Sequence, residues 1–501
     1  MKYNSTRNRS VSVSAAQAIA QGISADGGLF VPESLPQYSY EDLCKLKEMT
    51  YQGRAQRILS DFLTDFTQPE IEESVREAYS PNKFGGEHPA PLALQQNGDK
   101  NMYVLELWHG PTCAFKDMAL QLLPYLMTVS AKKTAEGKTI VILVATSGDT
   151  GKAALEGFKD VDKTKILVFY PVDGVSPMQK LQMTTQEGEN VAVCAIHGNF
   201  DDAQSAVKSI FTNDEIKAEL AKKNMMFSSA NSINWGRLVP QIVYYFSAYA
   251  DLCKMGQLQV GEPMNVVVPT GNFGNILAGY YAKHMGLPIQ TMVCASNTNN
   301  VLTDFLKTGT YDRNRDFYAT TSPSMDILIS SNLERLLYHM SGESDAAVRG
   351  WMTQLAENGK YTVEPEVMAK IQNEFAAGYC DEAAVADTIH KTYTDQNYLC
   401  DTHTAVAVKV YRDYVAQTGD DLPTVIDSTA SPYKFSKSVL TAVLEGNTPQ
   451  LDEFDMVEEL HRVTGAAVPA PLAALKDKAV RFTQVCDREN MSQMVFQLLN
   501  L

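Results

Sequence analysis

The sequence predicts an α/β protein built on a largely parallel sheet, and three observations carry that expectation. Its most apolar runs are short, rich in Val, Ile and Leu, and continuous rather than alternating: TIVILVA at 139–145, KILVFY at 165–170, VAVCAI at 191–196 and MNVVVP at 264–269. Strands covered on both faces read this way. Each run then passes through a polar or Gly-containing turn into a segment of helical period, as TSGDTG leads into KAALEGFK and TGNFGN into ILAGYYAKHMG. That succession is the signature of βαβ units, with ligands expected at the carboxyl ends of the strands. Finally, 501 residues at 45% hydrophobic and 20% charged suffice for two or three domains with buried cores.

Taken in chain order, residues 1–95 have helix-like stretches such as YEDLCKLKEM and few strand signals, so they read as a mostly helical N-terminal domain. Residues 96–299 carry the α/β core, including a smaller sheet domain at about 120–230. Residues 300–400 are polar and helix-like and read as a mostly helical insertion. TVIDS at 424–428 is a late buried strand that returns the chain to the core over 401–440, and 441–501 reads as a C-terminal helical segment.

Composition excludes several classes. A net charge of −16, with no basic run interleaved with aromatics, argues against a nucleic-acid partner. No apolar run approaches a membrane span, and MKYNSTRNRS lacks the apolar core of a signal peptide, so a cytoplasmic protein with no membrane partner is expected. The eight cysteines contain no CxxC pair, which indicates neither a disulfide framework nor a thiolate metal site.

Chemistry is expected at two turns, TSGDTG (146–151) and TGNFGN (270–275), where glycine lets the backbone close around a ligand and the free N–H groups of a starting helix attract an anion. Neither turn fits the Walker pattern or GxGxxG, which disfavours ATP and NAD. A lysine in HGPTCAFKD (109–117), Lys116, reads either as a solvated surface charge or as a working amine.

The ordered set HGPTCAFKD, TSGDTG, SSANSINWGR (228–237), TGNFGN, PSMDILISSNLERLL (323–337) and DSTASPYKF (427–435) resembles the threonine synthases in their long form. SADGGLFVPE at 24–33 and CDTHTAVA at 400–407 extend the resemblance over nearly the whole chain. It implies the two-lobed parallel-sheet core of the tryptophan-synthase β type, fold type II of the pyridoxal-phosphate enzymes. It also implies conversion of O-phospho-L-homoserine and water into L-threonine and phosphate, the last step of threonine biosynthesis.

The same resemblance assigns residues. Lys116 becomes the catalytic lysine that holds pyridoxal phosphate as an imine and then shuttles protons. Gly271, Asn272, Phe273, Gly274 and Asn275 become the cradle of the cofactor phosphate, for which backbone donors are suited. Thr429 is either the hydroxyl opposite the pyridine nitrogen or a strand-end turn residue. Ser147, Gly148, Thr150 and Gly151 are expected to grip the substrate carboxylate. Asp149 stands where related enzymes often carry asparagine and reads either as a departure in the site or as an N-cap. For the substrate phosphate the candidates are Arg237, whose fork suits it, with Asn231, Ser232, Asn234 and Lys180; a solvated helix charge is the alternative for Arg237 and Lys180. Rival outcomes on the same fold are a phospholyase, a serine/threonine dehydratase and a non-catalytic carrier of the cofactor.

Overall fold

The computed structural model describes residues 1–94, 101–134, 137–146, 148–173, 175–198 and 200–499. Its N-terminal part combines a small antiparallel sheet, in the order β2-β1-β3, with short helices; the strands are β1 (Tyr3–Ser5), β2 (Asn8–Val13) and β3 (Phe30–Pro32). Sequence reading expects few strands here: β1 and β3 have three residues each, too short to show a period, and β2 carries the polar sequence NRSVSV.

Two larger sheets follow. The chain lays down β4 (Leu92–Leu94) and β5 (Met102–Glu106), leaves to build β6 (Thr139–Ala145), β7 (Thr164–Pro171), β8 (Val191–His197) and β9 (Met225–Ser228), and comes back with β10 (Met264–Pro269) and β11 (Ile289–Ser296). After an antiparallel pair, β12 (Thr310–Asp312) and β13 (Lys360–Thr362), come β14 (Phe375–Tyr379), β15 (Thr424–Ser428) and β16 (Val485–Asp487). The large sheet has the order β14-β11-β10-β15-β5-β4 and the smaller one β16-β8-β7-β6-β9. Every pairing in them is parallel except the edge pair β4–β5.

Two regions expected to be helical also contribute strands to the sheets. The 300–400 region is mostly helical, but β14 lies inside it and forms an edge of the large sheet beside β11. The region after 440 is likewise not only helical: β16 extends the smaller sheet beside β8, and the helix Met491–Leu499 buries Met491, Val495 and Leu499 against its outer face. The 20-residue helix Trp235–Lys254 is buried along most of its length and sits in the main core, which joins the N-terminal part to one face of each sheet. Among the described residues no helix is long and apolar enough to cross a membrane.

Candidate active site

The turn that carries Lys116 is sewn to the end of β15. Leu107 N donates to Ser428 O at 3.0 Å, Phe115 N to Thr429 O at 2.8 Å, and Ser431 N to Cys113 O at 3.0 Å. Inside the turn, Asp117 accepts from Thr112 N at 2.8 Å and Thr112 Oγ1 at 2.9 Å. A side chain at Gly110 would collide with Asp117, which accounts for that glycine. His109 Nε2 lies 2.7 Å from Glu106 Oε2, and Phe115 packs on the main core.

Lys116 itself is half-buried and has no hydrogen bond or ion pair among the described residues. Burial lowers its amine to about 8, Asp149 opposes the shift, and the Arg237 and Lys434 cations reinforce it. An amine poised there is a far better nucleophile and base at neutral pH than an exposed lysine.

The Gly271–Asn275 turn opens the helix Gly274–His284 with Phe273 in the left-handed region at φ 61° and no side-chain cap, so the first-turn N–H groups are left for a ligand. Gly271 is required sterically: a Cβ there would lie 2.5 Å from Ser324 O. The side chains do other work. Phe273 is buried against Phe375. Asn275 Oδ1 lies 2.5 and 2.6 Å from the hydroxyls of Tyr244 and Tyr245, and Tyr245 reaches Asp427 Oδ2 at 2.9 Å. Asn272 is exposed, and its carbonyl accepts from Asn332 N and Nδ2, both at 3.1 Å.

Asn332 also donates from Nδ2 to Ser232 O at 3.2 Å, which brings the 228–237 segment to the Gly271–Asn275 turn; Ser232 Oγ lies 3.5 Å from Ser331 Oγ. Arg335 holds Asn332 Oδ1 at 2.5 Å and Ile233 O at 2.6 Å. Arg237 is buried, donates once to Ala230 O at 2.9 Å, and leaves Nε without a partner among the described residues. No carboxylate pairs with it among them, and burial alone lowers its guanidinium to about 10. Asn234 differs from expectation: its Oδ1 accepts from Gly236 N as the cap of the long helix, and its Nδ2 donates to Ile19 O and Ser229 O. That amide is fully engaged and has nothing left for a substrate. Asn231 and Lys180 are exposed.

The 146–151 turn also departs from expectation. Thr146 Oγ1 accepts from Gly148 N at 3.0 Å and from Gly151 N at 2.9 Å, so these two donors are already used. Gly148, at φ 139°, is the N-cap, and Asp149 is therefore the first helical residue and not the cap. Thr150 is half-buried with its hydroxyl free among the described residues, whereas Ser147 lies outside them. The Asp149 carboxylate is held well below its usual range despite burial, chiefly by Lys434, whose Nζ is 2.8 Å away; Gln179 Nε2 adds a contact at 3.2 Å. Sequence reasoning missed Lys434, Gln179, Asn332 and Arg335. For Lys434 there was a signal: a carboxylate in place of asparagine in TSGDTG calls for a cation, and DSTASPYKF contains one.

Uncapped helix N–H groups, a glycine that keeps the backbone close, and an amine and a guanidinium without a carboxylate partner among the described residues together suit a phosphorylated aldehyde such as pyridoxal phosphate. The Thr429 hydroxyl, buried and without a protein hydrogen bond among the described residues, adds one neutral donor. No group of three His, Cys, Asp or Glu side chains that could hold a metal occurs among them.

Family comparisons point to the same cofactor. A model described as threonine synthase N terminus matches residues 2–79, one described as pyridoxal-phosphate dependent enzyme matches 84–374, and one described as threonine synthase, C-terminal, matches 404–495. Threonine synthase of Pseudomonas aeruginosa is 37% identical over 483 residues, 95% of this chain and 97% of that one. The chain belongs to the threonine synthase family. Its fold is that of the family: the crystal structure titled as pyridoxal-phosphate-bound threonine synthase from Brucella melitensis superposes with a TM-score of 0.87 at 38% identity, covering 99% of both chains. Threonine synthase-like 1 of Pongo abelii is 41% identical over 438 residues, 85% of this chain, and the match spans only 58% of that longer protein.

Proposed function

We propose that this family member is a threonine synthase, converting O-phospho-L-homoserine and water into L-threonine and phosphate with pyridoxal phosphate as cofactor. The observation that carries the reading is that two cations of the site lack a carboxylate partner among the described residues: the half-buried Lys116 amine, lowered to about 8, and the buried Arg237 guanidinium with its orphaned Nε. Chemistry at the α-carbon of an amino acid needs the first, and a substrate with a phosphate on its γ-carbon gives the second its anion.

Bound pyridoxal phosphate supplies the electron sink for charge developing on the substrate. The chain supplies the rest. Lys116 carries the cofactor and takes the proton from the α-carbon. Gly271–Asn275 hold the cofactor phosphate through their backbone, and Thr429 offers a neutral hydroxyl to the pyridine nitrogen. Arg237, assisted by Ser232 and Asn231, receives the substrate phosphate; Thr150 and Ser147 receive its carboxylate. The cytoplasmic location expected from sequence belongs to the same proposal, and eight unpaired cysteines suit a reducing compartment.

Product analysis with phosphohomoserine tests the reading. Threonine and phosphate in equal amounts are expected; 2-oxobutyrate would make the protein a phospholyase, and bound cofactor without turnover would make it a carrier. Borohydride should fix the cofactor to one peptide, the one containing Lys116.

A further inference from the structure

Lys434 is fully buried in the 3-10 turn Pro432–Phe435 that follows β15, and its ammonium has three acceptors. They are Asp149 Oδ1 at 2.8 Å, Thr112 O at 2.9 Å and Gln182 Oε1 at 3.3 Å. Each comes from a different place: Asp149 from the helix after β6, Gln182 from the helix Pro177–Thr184 after β7, and Thr112 from the turn that bears Lys116. One side chain of the large sheet thus grips the smaller sheet twice and the Lys116 turn once. Removing either partner while the sheets stay packed would leave the other as a buried, uncompensated charge, which is strongly unfavourable.

We propose that Lys434 and Asp149 form a clasp that docks the smaller sheet on the large one and sets the charge environment of the Lys116 amine, making both positioning residues and neither a substrate ligand. The proposal rests on Lys116 being the reacting amine, as read above. It explains why the 146–151 turn holds a carboxylate where an asparagine would need no cation.

Three charged groups bear on Lys116: Asp149 from the smaller sheet, Arg237 from the long helix, and Lys434 from the large sheet. Asp149 raises its pKa and the two cations lower it, so breaking the clasp from either end shifts Lys116 in opposite directions. Mere loss of packing would move both variants the same way or not at all.

The test measures the pH dependence of Lys116 acylation in the full-length chain without cofactor, followed by peptide mass spectrometry. A midpoint near 8 is expected for the parent. Asp149→Asn should lower it, and Lys434→Met should raise it, each by roughly one unit. The double variant should return close to the parent, and Lys434→Arg should stay there. Parallel shifts, or none, would overturn the clasp. Asp149→Asn is isosteric and decides the sign alone should Lys434→Met fail to fold. A parent whose Lys116 titrates like an exposed lysine would instead remove the reading of Lys116 and the clasp with it.

Discussion

Arg237 illustrates what a buried charge without a counter-charge among the described residues demands. A guanidinium with one carbonyl partner and an orphaned Nε is costly in the free protein, and an arriving phosphate would relieve that cost. Arg237→Ala is therefore expected to keep its affinity for pyridoxal phosphate and lose about 2–4 kcal/mol of transition-state stabilisation in kcat/KM, with Arg237→Lys restoring part. Should cofactor affinity fall and phosphate binding stay constant, the two anion sites would be exchanged. Thr429 gives a second residue-level prediction. A carboxylate opposite the pyridine nitrogen would hold a proton on it and change how charge is shared, so Thr429→Asp should impair turnover more than Thr429→Ser. Equal turnover in the two variants would remove Thr429 from that position.

Among the elements, the start of the helix Gly274–His284 is the most constrained. Gly271 lies against Ser324 O, and Ser324 is pinned in turn because its N–H donates to His403 Nε2 at 3.2 Å while His403 Nδ1 lies 2.7 Å from Asp401 Oδ2. The neighbour therefore has little room to yield. Gly271→Ala should weaken pyridoxal-phosphate binding by about 1–3 kcal/mol, as overpacking does, while circular dichroism stays native. Unchanged affinity in a direct titration would show that this turn is not the phosphate cradle. The motif itself was legible because glycine, a strand end and a helix start are local properties. What was not legible is that Phe273 spends its side chain on packing and Asn275 its amide oxygen on two hydroxyls, since Tyr244, Tyr245 and Phe375 come from other parts of the chain.

For the whole molecule, the smaller sheet depends on the end of the chain. β16 covers β8 over Ala195–His197, and Met491, Val495 and Leu499 complete the core of the outer face. Ending the chain after Asp477 should cost about 5 kcal/mol from three lost apolar side chains, seen as a lower denaturant midpoint and as association through the bared β8 edge. An unchanged midpoint would make the segment an appendage. By itself, the sequence determined the parallel α/β class, the strands from β6 to β8, β10 and β15, and the order of the motifs around Lys116, because continuous apolar runs and Gly-containing turns follow from local backbone and burial preferences. Only the tertiary structure decided that β14 and β16 join the sheets, that Asn234 and the N–H groups of Gly148 and Gly151 are already engaged, and that Asp149 is paired with Lys434. Those outcomes depend on which partner lies within about 3 Å after folding, and a pairing between residues 149 and 434 leaves no periodic trace along the chain.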